Sequence, residues 1–145
     1  KAEIPLETYE IPLMIYSPKH IAARQIDTLM TQIDIAPTVL HVVGVNPPAA
    51  FEGHNLFALP EEDRLFFADE DLEGNQLSSI RSGGWKLITA NENNPRGLPT
   101  LELFDLQADP KESKNLATVE PQRAQQLLAQ LSRHRGVVSP GAVGR

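Results

Sequence analysis

Residues Ile11–Tyr16 (IPLMIY) form an unbroken apolar run closed by Ser17-Pro18. A run this short, without alternation, suits a strand buried on both faces, as strands of parallel sheets are. After a polar link, Asp34–Gly44 (DIAPTVLHVVG) is apolar at most positions and predicts a short buried helix. Asp34 serves as its N-cap, Pro37 sits in the first turn and Gly44 is the stop. Asn46–Pro60 holds a tandem proline and a Gly-His-Asn segment, which reads as a surface loop with a turn.

The period changes in the second half. Leu65–Ala68 predicts a short strand, and Ser78–Arg81 and Trp85–Thr89 flank Ser82-Gly83-Gly84, whose glycines supply the positive φ of a tight antiparallel hairpin. Leu101–Leu106 (LELFDL) opens by alternating apolar and acidic residues, the pattern of a strand with one wet face, before Ala108–Glu112 breaks it. Pro121 at a first helical position, Ala124, Leu127, Leu128 and Leu131 at helical spacing, and Gly136 as stop predict an amphipathic helix lying across the small sheet. Residues 137–145 have no period and are expected to be a flexible tail.

Composition narrows the chemistry. The 145 residues carry a net charge of −6 with their cations scattered, which gives no basic stripe for a nucleic-acid backbone. The chain has no cysteine, which excludes disulfides, thiolate metal sites and cysteine nucleophiles while leaving the redox compartment undetermined. No apolar run approaches the roughly 20 residues that span a bilayer. Lys1 opens directly onto core-like sequence with no signal peptide, so the start reads as cut from something longer.

Candidate catalytic groups are sparse. His20, His41, His54 and His134 fall in four different elements without metal-ligand spacing. Asp69-Glu70-Asp71 with Glu73 lacks the glycine and terminal glutamate of a calcium loop and reads as a solvated loop. No serine sits in a Gly-x-Ser-x-Gly elbow. Asp34 can be cast as an acid catalyst, but a helix cap accounts for it, and Trp85 after a hairpin turn reads as core. The residues thus assign no catalytic group and no metal ligand.

Four ordered blocks carry a resemblance: Tyr9–Pro18 (YEIPLMIYSP), Gln32–Leu40 (QIDIAPTVL), Ile80–Ile88 (IRSGGWKLI) and Glu102–Leu116 (ELFDLQADPKESKNL). Together they span nearly the whole chain and resemble the C-terminal part of sulfatases and their relatives in the alkaline phosphatase superfamily. The last block is similar to the closing signature of many sulfatases, whereas Lys1–Leu6 leading into Tyr-Glu-Ile-Pro-Leu is more similar to the lipoteichoic acid synthase and phosphoglycerol transferase branch. The implied fold is α/β, of which this chain is the C-terminal portion. Residues 1–60 would be the edge of the core, with one buried strand and a helix. Residues 61–136 would be a small α+β subdomain whose antiparallel sheet is packed by the C-terminal helix, and 137–145 the tail.

The resemblance implies a parent enzyme that hydrolyses or transfers a sulfate or phosphate ester with a divalent metal (Mn, Mg or Ca) and a nucleophile. The nucleophile motif is missing from this chain, and the family's final Asp-His metal pair would fall just before Lys1, so the chain alone is expected to be inactive. The remainder of the catalytic domain upstream of Lys1 is then its partner. Lys1 is the one substrate-binding candidate carried over, since an ammonium there can meet an anionic ester oxygen; a solvated terminal charge is the plain alternative. The loops Pro47–Pro60 and Asp69–Gln76 are where specificity would lie. Relatives imply a cell-envelope or periplasmic location, with a parent that some branches anchor to the membrane. A noncatalytic interaction or structural module docking to a separate catalytic chain is the alternative from a different class.

Overall fold

The computed structural model describes residues 12–58 and 64–138, which fall into two compact units over those same ranges. In the first, a 3-10 turn over Gln32–Asp34 runs into helix α1, Ile35–Val42. Pro37 falls in the first turn, where its missing N–H has no partner to lose. The helix stops as the sequence predicts: Gly44 takes φ 76°, its N–H donates to the His41 carbonyl at 3.0 Å, and the Val45 N–H donates to the Leu40 carbonyl at 2.8 Å. Those two bonds satisfy carbonyls that the last helical turn leaves open.

The apolar character of α1 is only partly used. Pro37 and Thr38 are buried, but Ile35, Val39 and Val43, spaced one turn apart, are 37%, 48% and 64% exposed. The predicted strand over Ile11–Tyr16 is a correction. Ile11 lies outside the described residues, and 12–16 form no strand, with Met14 90% and Tyr16 86% exposed. A parallel strand is held by neighbours on both sides, and the described residues of this unit supply none.

The second unit contains strands β1 (Phe66–Leu72), β2 (Asn75–Ser82), β3 (Trp85–Ala90) and β4 (Leu101–Asp105) and helix α2 (Pro121–Val138). The strands form one four-stranded sheet in sequential order, antiparallel throughout. Two of the turns need positive φ at both central residues: Glu73–Gly74 (53° and 83°) and Gly83–Gly84 (53° and 79°). That backbone matches the right-handed twist of the flanking strands.

The core follows from register. Phe67, Ile80, Leu87 and Leu103 lie opposite one another across the four strands and on one face. Ala124, Leu127 and Leu131 of α2 close over them, with Trp85, Leu101, Leu116 and Leu128 at the margin. Ile80, Leu87 and Leu103 are fully buried, each contributing about 1.5–3 kcal/mol.

Three expectations need correction in this unit. The stretch from Asp69 to Gln76 is not a loop: Asp69–Leu72 belongs to β1, Asn75 and Gln76 open β2, and only Glu73–Gly74 turns. The acids sit on an edge strand, where charges pointing to water cost little and discourage further pairing. β4 is not wet on one face, because the consecutive residues Leu103 and Phe104 are both buried and must point to opposite faces. Finally, α2 runs through Gly136 to Val138, since a glycine in open space weakens a helix without ending it. Residues 139–145 of the expected tail lie outside the described residues.

Candidate functional site

The first unit is organised around a buried carboxylate. Asp34 is fully buried, and it does not act as the side-chain N-cap of α1 that the sequence suggests. It sits at the end of the 3-10 turn, so its carboxylate reaches back to the Thr31 N–H at 2.9 Å and across to the His54 N–H at 2.8 Å. The imidazole of His54 lies farther off, with Nδ1 3.9 Å from the Asp34 carboxylate. Thr38 completes the clamp. Its hydroxyl donates to the Asp34 carbonyl at 2.6 Å and accepts the Leu56 N–H at 2.9 Å, which ties the segment after Gly53 onto α1.

Gly53 is part of the same junction for a steric reason. A Cβ added there would lie 1.9 Å from the Ile33 carbonyl oxygen, so only glycine lets the two backbones approach. The sequence reading of Gly53 as a turn glycine missed this. Its φ is not positive, and residues 51–55 form no turn.

The second unit is locked by the acidic stretch after β4. Asp105 accepts the N–H groups of Gln107 and Ala108 at 3.0 and 3.1 Å. Asp109 accepts those of Ser113 and Lys114 at 2.7 and 2.8 Å and the Ser113 hydroxyl at 2.9 Å. The Lys114 N–H foremost, then the bonds from Ser113, hold the Asp109 carboxyl below its ordinary 3.8, while burial pulls the other way.

Glu112 grips the Lys86 ammonium through both oxygens, at 2.7 and 2.9 Å. Asn115 then lies along the outer edge of β4. It accepts the Leu103 N–H at 3.1 Å and donates to the Leu101 carbonyl at 3.0 Å, and the Leu116 N–H reaches the Leu103 carbonyl at 2.8 Å. The segment finishes the sheet edge as a fifth strand would.

These arrangements hold the shape of each unit. Lys1 lies outside the described residues. His20 bonds Ser17 within an exposed turn at 3.0 Å, His54 belongs to the Asp34 clamp, His41 lies in the last turn of α1, and His134 stacks on Phe67 with ring centroids 3.8 Å apart. Among the described residues no group of three or more His, Asp or Glu side chains is placed to hold a metal. Ser78 donates to Asp69 without a histidine between them, so it lacks an activating base. Trp85 packs at the core margin under the guanidinium of Arg123, 4.5 Å from the ring centroid. An open groove of about 350 Å³ is lined by Leu65, Phe67, Gln130, Arg133 and His134, none positioned as nucleophile and base.

Comparison with known proteins gives a consistent set of relatives. The family described as N-sulphoglucosamine sulphohydrolase, C-terminal, matches residues 4–136. Arylsulfatase K of Rattus norvegicus is 28% identical over 135 residues, covering 83% of this chain and 23% of that protein. Arylsulfatase K of Canis lupus familiaris is 30% identical over 128 residues, covering 77% and 23%. Among solved structures, a protein in complex with its substrate D-glucosamine-2-N,6-O-disulfate superposes with a TM-score of 0.55 at 21% identity, over 71% of this chain and 23% of that one. This chain therefore spans 23% of the length of these relatives.

Proposed function

Since the chain belongs to the family of N-sulphoglucosamine sulphohydrolase C-terminal domains, we propose that it is the C-terminal part of a metal-dependent hydrolase of sulfate esters and that it scaffolds, without carrying, the reaction. The family match over residues 4–136 carries this reading, and its α/β fold is that of the C-terminal portion of sulfatases. The names of the arylsulfatase K relatives favour a sulfate over a phosphate ester, and hydrolysis over transfer.

The role assigned to the chain is structural support. The described residues do not fit a divalent metal, because they offer no ligand cluster. The metal, whether Mn, Mg or Ca, and the nucleophile are assigned to sequence preceding Lys1. Lys1 is proposed to face an anionic oxygen of the ester. Exposed Ile35 and Val39 on α1, Val43 just past its end, and Met14 and Tyr16 in the IPLMIY run support a further step. An apolar surface of that kind in contact with water is unfavourable, so these residues would be covered by the upstream part. The superfamily resemblance alone supports the proposal that the parent works in the cell envelope or periplasm.

The test joins this chain to its natural upstream sequence and assays an aryl sulfate and a phosphoglycerol lipid in parallel, with manganese, magnesium or calcium. Metal-dependent release of sulfate is expected. Turnover of the lipid alone would move the chain to the transferase branch. No turnover of either would favour the noncatalytic docking module.

A further inference from the structure

Arg81 stands in a row that crosses the sheet, Phe66–Arg81–Lys86–Phe104, one residue out of step with the row that faces α2. Strand alternation puts the Arg81 row on the opposite face. Two cations are therefore directly opposed, Arg81 on β2 and Lys86 on β3, a pairing that is unfavourable unless an acid intervenes. Only one is compensated, since Glu112 commits both of its oxygens to Lys86.

Arg81 is partly buried, and no hydrogen bond or ion pair joins it to any described residue. Its neighbours on that face are Phe66 and Lys86 directly opposite and Ser79 two residues along β2, with the partly buried Ile88 diagonal to it. A half-desolvated guanidinium facing a second cation is costly until an anion meets it, and its planar fork suits a carboxylate.

We infer that this face of the sheet docks against the upstream part of the enzyme, which presents a carboxylate to Arg81. The inference rests on the reading of the chain as part of a longer hydrolase. Two observations select that occupant. The chain spans 23% of the length of its relatives, so a large partner surface precedes it. Phe66 and Ile88 beside Arg81 call for apolar cover around the ion pair, which a hydrated sulfated sugar does not supply.

The experiment compares Arg81→Gln and Arg81→Lys in this 145-residue chain and in the longer protein, by thermal unfolding without substrate and, separately, by KM for an aryl sulfate. In the short chain Arg81→Gln is expected to leave the midpoint unchanged or raise it slightly, because it removes the opposition to Lys86. In the longer protein it is expected to lower the midpoint by about 2–4 °C, with KM unchanged and Arg81→Lys restoring part of the loss. Equal losses in both chains would place the anion within this chain and overturn the inference. So would an unchanged midpoint in the longer protein, and a raised KM with an unchanged midpoint would assign Arg81 to the substrate instead. Because the midpoint is read without substrate, a longer protein that fails to turn over sulfate esters still decides the role of Arg81.

Discussion

The Lys86 ammonium on β3 and the Glu112 carboxylate, 26 residues later in the chain, are joined by two hydrogen bonds of 2.7 and 2.9 Å. The pair ties Ile-Arg-Ser-Gly-Gly-Trp-Lys-Leu to Asp-Pro-Lys-Glu-Ser-Lys-Asn-Leu, so the two C-terminal blocks are halves of one lock. Lys86 and Glu112 are 24% and 18% exposed, a setting in which charge-assisted bonds outweigh those of surface pairs.

Lys86→Met or Glu112→Gln should each lower the unfolding free energy of the 145-residue chain by about 1–3 kcal/mol. The double variant should cost clearly less than the sum of the singles, as partners in one contact do. Urea denaturation of the four proteins measures this, and additive losses would dissolve the lock.

Gly53→Ala is expected to destabilise the first unit by about 1–3 kcal/mol or more, because the new methyl meets the Ile33 carbonyl at 1.9 Å. Gly136→Ala should do the opposite. It fills open space in an α2 position without positive φ, and helical alanine is favoured over glycine by about 0.5–1 kcal/mol. Thermal melts of the two variants should move in opposite directions; a shared sign would contradict the local geometry at one of them.

Asn115→Ala removes the bonds to the Leu103 N–H, the Leu101 carbonyl and the Ala117 N–H. A loss of about 1–3 kcal/mol follows from the orphaned edge groups. Amide exchange should accelerate at Leu103 before the rest of the sheet. Protection at Leu103 equal to that of the unaltered chain would mean that the segment after β4 does not seal the edge.

Asp109 sets part of the acid limb of stability. Its folded-state pKa is depressed below 3.8, chiefly by the Lys114 N–H. Its contribution is therefore fully present above the ordinary carboxylate value and is lost as pH falls through the depressed one. Replacing it with Asn should flatten the stability profile between about pH 5 and pH 2 relative to the unaltered chain. An unchanged slope over that range would show that the carboxylate is not what those N–H groups stabilise.

What could be read from sequence and what could not divide along physical lines. The Gly83–Gly84 turn, the Gly44 stop and the α2 stripe of Ala124, Leu127 and Leu131 were legible because each depends on local conformational preference or period. The clamp was not. Asp34 looks like the cap of α1 from its neighbours, but its carboxylate closes the preceding 3-10 turn at Thr31 and meets the His54 N–H where the chain returns past Gly53. Glu112 and Asn115 resemble loop polars for the same reason, since their partners lie 26 and 12 residues away. The IPLMIY run failed in the other direction. Its composition anticipates neighbouring strands that the described residues do not supply.

The central claim is that this chain supports a sulfate-ester hydrolase whose chemistry is built upstream of it. It is tested most directly by measuring metal-dependent sulfate release from an aryl sulfate by the 145-residue chain and by the longer protein side by side. Release by the longer protein with none from the short chain is the expected result. Release by the short chain, or the lack of it from both, would contradict the account.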